Sequence, residues 1–593
     1  MNIPQRIAAV RALMKQNSID AYLITGTDPH LSEYTPEKWK TREWISGFTG
    51  SYGKVLVMQE EVLLWTDTRY FIQATEELAG TGIQLMKERV PEAISLEEWS
   101  AANLRTGSKF AVDGWTISAA EGASLKSKLG AKGIIFDPES DLVGEIWHNR
   151  TPQTNSSIYE HPAEFAGKSR IEKIDLVRKN LLEKEIDSTI VSMLDEIAWL
   201  LNLRGNEIEY TPLFTAYAYL DLNACRLFIH PDKIGTTLGK ELENDGITVV
   251  GYDQFLPFLR RIEGQKIHID PIRSNYRLFQ AVSELNLMDA SASCITQIKS
   301  VKDQVEIANI RNAHLKDGAA MVNYLYWISH ITEDEIITEV SAGNYLQMFR
   351  SRQLHFMGES FHPIVGFGPH GAIVHYHASK STDLTITKDN LLLIDSGGQY
   401  LDGTTDLTRT ICLGKATQKQ KQDFTTCLKA HISLANTIFP DKTRGYSLDT
   451  IARKPLWSKG LNYGHGTGHG IGYFLSVHEG PMSIRAEYND QFIREGQIIS
   501  NEPGIYRAGE YGIRIENVIL CKPYIQTEFG KFLCFETISL CPIDKNLIVA
   551  ELLDKEEVTW LNQYHETVFR ELSPLISENV VLEWLRDQCT PLN

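Results

Sequence analysis

The chain has 593 residues, a formal net charge of −17 and a sequence pI of about 5.5. This length is too great for one hydrophobic core, so we expect two to four domains. The acidic balance argues against nucleic acid or an anionic membrane as a partner, because phosphate binding needs clustered Lys and Arg. The eight cysteines occur singly, with no CxxC pair, which predicts buried thiols in a reducing compartment.

The first predicted element is an amphipathic helix near residues 4–17. Its apolar residues recur at helical spacing and should face inward: Ile7, Val10, Leu13 and Met14. Basic residues interrupt the apolar ones, so the segment does not resemble a signal peptide. No apolar run in the sequence is long enough to span a bilayer. The sequence therefore predicts a cytoplasmic location and no membrane partner.

The first two-thirds of the chain contain a weak internal repeat. The first helix leads into the strand-like segment 19–24, and a second amphipathic helix, RIEKIDLVRKNLLEKE, leads into segment 186–191. A turn with aromatic residues and glycine follows each segment, and then come the apolar strands VLLWTD and CRLFIH. This common order predicts two copies of one α/β domain. The alternative is a coincidence between generic α/β segments.

Two predicted boundaries divide the chain into domains at residues 1–160, 161–302 and 303–593. Residues 150–168 are polar and aperiodic, which is typical of a linker. Near residue 300 a long helix with apolar periodicity begins, with Ser300 as the expected N-cap. The third domain should be one α/β unit, with two amphipathic helices after residue 551 and strands in LLLID, QIISNEPG, YGIRIENVIL and FETISL.

Two aspartates are predicted to meet in the third domain. Asp395 ends the apolar strand LLLID, and the chain turns at Asp402-Gly403 before it returns with Asp406 in TTDLTRTI. A hairpin would place Asp395 and Asp406 side by side, where the two carboxylates repel unless a cation neutralises them. Taken alone, Asp395 is more simply interpreted as a turn cap and Asp406 as a solvated strand residue. The presence of both, with their flanking glycines, favours a metal site.

A glycine-rich segment, YGHGTGHGIG, contains His465 and His469, and His478 follows in VHEGP. A backbone without side chains at alternate positions can approach a ligand or another strand closely. The simpler interpretation is a flexible loop with incidental histidines. Three histidines within fourteen residues favour a functional site.

Two glutamates complete the candidate set. Glu502 lies in NEPG at the end of an apolar strand, and Glu516 lies in the alternating segment GIRIEN, on the same face as Arg514. Arg514 and Glu516 alone could form an ordinary ion pair on a sheet. If Glu516 binds metal, Arg514 becomes its neighbour or a partner for a substrate carboxylate.

Four carboxylates and one imidazole can hold two divalent cations, which activate water and stabilise an oxyanion during hydrolysis. Ligands dominated by oxygen favour Mn, Co, Fe or Zn over copper. We expect two divalent ions from this group.

These five positions, in this order, resemble the pita-bread metallopeptidases, a family that includes methionine aminopeptidase, prolidase, aminopeptidase P and the metal-free creatinase. The similarity covers the whole chain. SEYTPEKWKTREWISGFTGSYG and LLWTDTRYF resemble the first domain of the three-domain, cytosolic-type aminopeptidase P, LDEIAWLLNLRG its second domain, and FETISLCPIDKNLI its C-terminal extension. The resemblance implies an α/β (α+β) chain with two creatinase-like N-terminal domains and a pita-bread catalytic domain.

The resemblance also implies roles for single residues. Asp395 would bind one metal ion, and His469 with Glu502 would bind the other. Asp406 and Glu516 would bridge the two ions.

Further roles follow from the same resemblance. His375 in GAIVHYH, His465 and His478 would hold the substrate and move protons, and Glu502 would also accept a proton. Arg69 in TDTRYF would contact the peptide, and His377 receives no role. The peptide contact of Arg514 rests instead on its position beside Glu516.

The predicted activity is removal of an N-terminal residue that precedes proline, so the partners are peptides with proline at the second position. A homodimer is expected, because relatives are commonly dimers. A prolidase that cleaves dipeptides is the first alternative, and the repeated N-terminal region argues against it. A non-catalytic binding module and a creatinase-like enzyme are disfavoured because all five ligand positions are present.

Overall fold

The structure is a computed structural model, and it describes residues 1–152, 155–282, 284–332 and 334–592. The chain forms two compact units. Met1–Ala163 and Lys168–Thr296 make up unit 1, and Glu164–Gly167 and Gln297–Asn593 make up unit 2. The predicted boundaries at residues 160 and 302 remain predictions.

The N-terminal half of unit 1 is a six-stranded sheet with helices. Its strands are β1 (Ala21–Ile24), β2 (Lys54–Met58), β3 (Val62–Thr66), β4 (Gln84–Lys87), β5 (Lys109–Val112) and β6 (Ile135–Asp137). Its helices are α1 (Ile3–Gln16), α2 (Thr41–Ser46), α3 (Phe71–Glu77), α4 (Leu96–Asn103), α5 (Ala119–Gly130) and α6 (Leu142–Ile146). The strand order is β4-β3-β2-β1-β5-β6.

The second half has its own six-stranded sheet. The strands of this region are β7 (Tyr159–Glu160), β8 (Ser188–Val191), β9 (Leu203–Arg204), β10 (Tyr217–Asp221), β11 (Cys225–Phe228), β12 (Ile247–Val250), β13 (Lys266–His268) and β14 (Leu287–Asp289). The helices are α8 (Arg170–Glu183), α9 (Leu194–Leu201), α10 (Thr236–Asn244), α11 (Phe255–Leu259) and α12 (Tyr276–Ala281). Two more helices, α7 (Ala163–Ala166) and α13 (Cys294–Ser300), contain residues of both units. The sheet order is β12-β11-β10-β8-β13-β14, and β7 pairs with β9 separately.

The two sheets have the same topology, as the predicted repeat requires. In each, the first strand is antiparallel to the second and parallel to the fifth, and the outer pairs are parallel. The helix before each first strand begins with a capping box, Asn2 with Gln5 in α1 and Ser169 with Glu172 in α8. In α1, Ile7, Val10 and Met14 are buried as expected, and Leu13 is partly buried against the same core.

Unit 2 contains the longest helix in the part of the chain that the structure describes, Gln304–Ser329. Its helices are α14 (Gln304–Ser329), α15 (Glu339–Ser351), α16 (Gln418–Ala435), α17 (Gly445–Trp457), α18 (Lys555–Leu572) and α19 (Asn579–Gln588). The prediction that Ser300 caps the long helix is wrong, because Ser300 is the last residue of α13. Asp303 is the N-cap, and it forms a capping box with Glu306. The two predicted C-terminal helices are present as α18 and α19.

The strands of unit 2 form several antiparallel sheets. They are β15 (Phe356–Glu359), β16 (Ile364–Phe367), β17 (Leu391–Ser396), β18 (Gly398–Tyr400), β19 (Gly403–Thr404), β20 (Leu407–Cys412), β21 (Phe439–Pro440), β22 (Gly468–Gly470), β23 (Glu479–Ile484), β24 (Ile498–Asn501), β25 (Gly504–Arg507), β26 (Tyr511–Arg514), β27 (Asn517–Thr527) and β28 (Gly530–Thr537). The sheet orders are β15-β18-β19, β16-β17-β20, β21-β28-β27-β24-β22-β23 and β25-β26.

The helices of unit 2 cover these sheets with a large apolar core. It includes Val322 of α14, Phe424 of α16, Leu561 of α18, Leu585 of α19 and Ile513 of β26. Burial of side chains of this size contributes roughly 1.5–3 kcal/mol each. Within the part of the chain that the structure describes, no helix is both long and apolar enough to cross a membrane.

Arg409 of β20 connects the strands to the C-terminal tail. Its side chain is buried, and its five N–H groups lie within hydrogen-bond distance of six acceptors: the carbonyls of Thr408, Glu516, Cys541 and Pro542, the Asn517 side-chain oxygen and the Tyr564 hydroxyl. A buried guanidinium is stable only when its donors are satisfied, so the tail supplies acceptors that Arg409 requires.

Two buried histidines near Arg409, His431 and His565, are held as neutral imidazoles. His431 Nδ1 donates to the Asn501 carbonyl (3.1 Å), and its Nε2 faces the Asn517 amide nitrogen (3.1 Å). His565 Nε2 accepts the Ile543 N–H (3.1 Å). Burial, followed by nearby cationic side chains, lowers the pKa of both histidines to about 3.

We expect unit 2 to lose stability as the pH falls below about 6.5. An unfolded histidine takes up a proton near that pH, whereas folded His431 and His565 resist protonation until about pH 3. In this window each contributes up to about 1.4 kcal/mol per pH unit to the decrease in the free energy of unfolding. Urea unfolding at pH 7, 6 and 5 should therefore show a smaller pH slope for His565→Gln than for the wild type. Equal slopes would contradict this assignment.

Candidate metal centre

Two predicted ligands lie at the ends of neighbouring antiparallel strands. Asp395 of β17 is opposite Thr408 of β20, and Asp406 directly precedes β20. Because side chains alternate along extended chain, Asp406 and Thr408 share a face next to Asp395. The predicted return strand is interrupted, since β19 and β20 belong to different sheets.

His469 and Glu502 come from the large antiparallel sheet. β22, which carries His469, pairs with β24, and Glu502 follows β24 directly. The Glu502 N–H donates to the Thr467 carbonyl (2.8 Å). A Cβ on Gly468 would lie 2.0 Å from the Ser500 carbonyl oxygen, so this approach requires glycine.

Glu516 lies in the gap between β26 and β27, so the predicted continuous strand YGIRIENVIL is wrong at this point. The Glu516 N–H donates to the Thr408 carbonyl (3.1 Å), and the Thr408 hydroxyl donates to Glu516 Oε2 (2.7 Å). The break in the strand therefore turns Glu516 onto β20, where its carboxylate interacts electrostatically with Asp406.

The side chains converge around His469. Its Nε2 lies 3.4 Å from Asp406 Oδ2 and 3.5 Å from Glu502 Oε1. Asp406, His469 and Glu516 offer ligand atoms that all lie within 4.8 Å of one another. His469 Nδ1 donates to the Gly470 carbonyl (3.0 Å), which keeps the Nε2 lone pair available toward the carboxylates.

The carboxylates strongly perturb each other. Burial, followed by Asp395 and Glu502, raises the pKa of Asp406 well above its ordinary value. Burial, followed by Asp406, raises the pKa of Glu516 in the same way. Burial, followed by Glu516, raises the pKa of Glu502 to about 7. Such a cluster is costly in its ionised form unless cations compensate the charge.

The donor set fits two divalent cations. Four carboxylates and one imidazole supply the oxygen-rich ligands that such ions prefer. Asp395 supports this fit, because its Oδ1 is buried without a hydrogen-bond partner among the described residues. Its Oδ2 is already used by Arg514, so Oδ1 is the atom available to an ion.

Arg514 connects Asp395 to other parts of the site. Its guanidinium is buried and donates to Asp395 Oδ2 through Nη2 (2.5 Å) and Nε (3.2 Å). It also donates to the Tyr506 hydroxyl (2.7 Å) and the Val374 carbonyl (3.3 Å). These contacts orient Asp395, whereas the predicted contact of Arg514 with the substrate remains a prediction.

Tyr506 was missed by the sequence analysis, although it links two predicted residues. Its hydroxyl lies 2.8 Å from His465 Nε2 and also accepts from Arg514. His465 Nδ1 is 4.0 Å from Glu502 Oε2. The signal was present in GIYRAGEYGIR, where a hairpin turn at Gly509 places Tyr506 opposite Gly512.

The remaining predicted histidines are His478 and His375. The His478 and His469 rings meet edge to face, with centroids 4.3 Å apart. His375 follows the 3₁₀ segment Gly368–Ala372, which rests on β26. A Cβ on Gly512 would lie 1.6 Å from the Gly371 carbonyl oxygen, so glycine is required for this contact.

Arg69 belongs to the first sheet domain of unit 1 and is held there by an acidic partner. It binds Asp67 through Nε (3.0 Å) and Nη2 (2.9 Å) and lies over the Tyr52 and Tyr70 rings. Arg89 binds the same aspartate (3.2 Å). The substrate-binding role of Arg69 remains a prediction.

Four protein-family models match the chain. Residues 308–523 match metallopeptidase family M24, and residues 531–592 match the C-terminal region of that peptidase. Residues 6–143 and 149–306 each match a creatinase/prolidase N-terminal domain.

Relatives that match over their full length establish the family of this chain. Xaa-Pro aminopeptidase 1 of Dictyostelium discoideum is 38% identical over 616 residues, which cover 100% of this chain and 97% of that protein. A probable Xaa-Pro aminopeptidase P of Laccaria bicolor is 36% identical over 609 residues, with 100% and 94% covered. This chain belongs to the aminopeptidase P group of metallopeptidase family M24.

Solved structures agree with the fold of this M24 chain. X-prolyl aminopeptidase from Caenorhabditis elegans, a cytosolic enzyme with a di-nuclear active site, matches with a TM-score of 0.96 and 31% identity over 100% of both chains. Xaa-Pro dipeptidase from Bacillus anthracis shares the fold over 63% of this chain, with a TM-score of 0.51 and 23% identity. The predicted fold class of the M24 chain is therefore confirmed.

Proposed function

We propose that this M24 chain is a metal-dependent aminopeptidase that hydrolyses the bond between an N-terminal residue and a following proline. The observation that carries the proposal is the convergence of carboxylates around His469 in a chain whose relatives are Xaa-Pro aminopeptidases over their full length. A binding module would not need this costly cluster of buried carboxylates.

Five residues would hold two divalent ions, for which we propose Mn²⁺, with Zn²⁺ or Co²⁺ as alternatives. Asp395 would serve one ion, and His469 with Glu502 the other. Asp406 and Glu516 would serve both. When bound, such ions act as Lewis acids and lower the pKa of water.

Glu502 is the proposed proton carrier. Its carboxylate would accept the proton of the attacking water and return it to the leaving prolyl nitrogen. This assignment is supported by the position of Glu502 next to His469 and His465.

The histidines and arginines are proposed to act on the peptide. His375 would donate a hydrogen bond to the carbonyl oxygen as negative charge develops on it. His478, beside His469, would help to place the peptide, and His465 would move protons together with the Tyr506 hydroxyl. Arg69 and Arg514 are proposed peptide contacts, with Arg514 also orienting Asp395.

A cytoplasmic location and a homodimer belong to the same proposal. The eight cysteines are all free thiols, and six of them are buried, which suits a reducing compartment. The C. elegans relative is a cytosolic enzyme. Light scattering on the purified chain measures the oligomeric state directly.

The proposed specificity predicts that Arg-Pro-Pro is cleaved far better than Arg-Pro or Arg-Ala-Pro. Residues beyond proline provide binding energy that orients the scissile bond, and a dipeptide lacks it. Alanine in place of proline would bring an additional N–H into a pocket that selects a residue without one, which would cost about 1–3 kcal/mol, or roughly 5- to 160-fold in kcat/KM.

The test compares kcat/KM for these three peptides on enzyme loaded with Mn²⁺. Equal or higher rates on Arg-Pro would assign the chain as a prolidase. Equal rates on Arg-Ala-Pro would assign it as a general metalloaminopeptidase, and no turnover of any peptide would favour a binding module.

A further inference from the structure

Glu339 is a buried carboxylate at the first position of α15 that holds two ends of one loop. Its side chain has no exposed surface. It accepts hydrogen bonds from four donors: the Phe367 N–H (2.8 Å), the Leu384 N–H (3.0 Å), His370 Nδ1 (2.9 Å) and the Tyr376 hydroxyl (2.8 Å). The N-terminus of α15 and these four donors surround the carboxylate and stabilise its negative charge.

The four donors lie in residues 367–384, here called the loop: it starts at the last residue of β16 and covers most of the connection to β17. This loop carries His375, and Tyr376 is its next residue. The His370 and Tyr376 rings stack on each other, with centroids 4.3 Å apart. A single carboxylate therefore fixes both ends of the loop and the residue beside His375.

Two further contacts hold the same stretch from other directions. Arg514 donates to the Val374 carbonyl (3.3 Å), directly before His375. The His377 ring stacks on His362, with centroids 3.5 Å apart. The residues on both sides of His375 are thus anchored, and Glu339 provides the anchor with the most hydrogen bonds.

We propose that Glu339 is a positioning residue for His375. The inference rests on the proposed function, in which the His375 imidazole donates to the developing oxyanion. A donor in such a role must be held in place before the reaction, and a displacement of about 1 Å can cost about 100-fold in rate. Glu339 meets this requirement because it binds the backbone N–H groups of Phe367 and Leu384 together with the side chains of His370 and Tyr376.

The first test is a double-mutant cycle of Glu339→Gln with His375→Ala. Glutamine keeps one acceptor oxygen and replaces the other with an NH₂ group. This group cannot accept the hydrogen bonds that the second carboxylate oxygen accepted. We expect kcat on Arg-Pro-Pro to fall roughly 10- to 100-fold, with KM and bound metal unchanged. In the His375→Ala background the same change should cost less than about two-fold, because the two residues act through one interaction.

A purely structural role would give a different result. The loss would then be equal in both backgrounds, which would overturn the proposal, as would an unchanged kcat in Glu339→Gln. If Glu339→Gln does not fold, Tyr376→Phe takes its place in the cycle, because it removes one donor and keeps the carboxylate. Asp544→Asn is the matched control, since Asp544 accepts backbone N–H groups of Cys412 and Asn546 outside this loop. It should change stability and leave kcat unchanged.

Hydrogen–deuterium exchange separates this proposal from the proposed function. Peptides within residues 367–384 should exchange faster in Glu339→Gln than in the wild type, and equally fast in Asp544→Asn and the wild type. This readout does not require turnover, so inactivity of the wild type on Arg-Pro-Pro would contradict the function without deciding the role of Glu339. Unchanged exchange in Glu339→Gln would overturn the positioning role.

Discussion

Replacement of Asp406 by asparagine or of Glu516 by glutamine should abolish turnover and lower the bound metal. Each change removes one negative charge from the centre of the site while the shape is nearly retained. Both residues are proposed to bind two ions, so either change should weaken the binding of both ions. Metal analysis per chain and kcat on Arg-Pro-Pro measure the two effects.

The metal-free variants provide a control for misfolding. Burial and neighbouring carboxylates raise the pKa values of Asp406 and Glu516, so the metal-free cluster opposes folding at neutral pH. We therefore expect the metal-free variants to be at least as stable as the metal-free wild type. Full metal occupancy together with wild-type rates in both variants would contradict the two-ion assignment.

The second large effect is expected for His375→Ala. The variant should keep its metal and lose kcat by about 100- to 1,000-fold, which is typical for loss of an oxyanion contact or a general acid. His330→Ala serves as the control, because His330 is exposed at the end of α14 and should not alter the rate. Loss of metal from His375→Ala would instead identify His375 as a ligand and contradict its proposed role.

Much of the fold was predictable because the signals are local. Alternating and helical apolar patterns identified the repeated sheet domains, and the apolar strand LLLID located Asp395. The start of α14 also has a local sequence signal, because Asp303 and Glu306 form a capping box. Ser300 was the wrong choice because the preceding residues already form α13, a short helix with weak periodicity.

The site was less predictable where partners are distant in the sequence. The break before β27 depends on the Glu516 N–H, which bonds to Thr408 at a separation of 108 residues. The role of Glu339 depends on donors 28 to 45 residues away. Neither set of hydrogen bonds corresponds to a periodic pattern in the sequence, because tertiary packing determines which residues meet.

The buried hydrogen bonds of Arg409 have an evolutionary consequence. Tyr564 and the carbonyls of Cys541 and Pro542 lie in the C-terminal region, and they satisfy an arginine three residues after Asp406. A descendant that lost this region would keep the arginine and lose three of the acceptors around it. Arg409 and the C-terminal extension should therefore be inherited together, and lineages without the extension should carry a different side chain at this position.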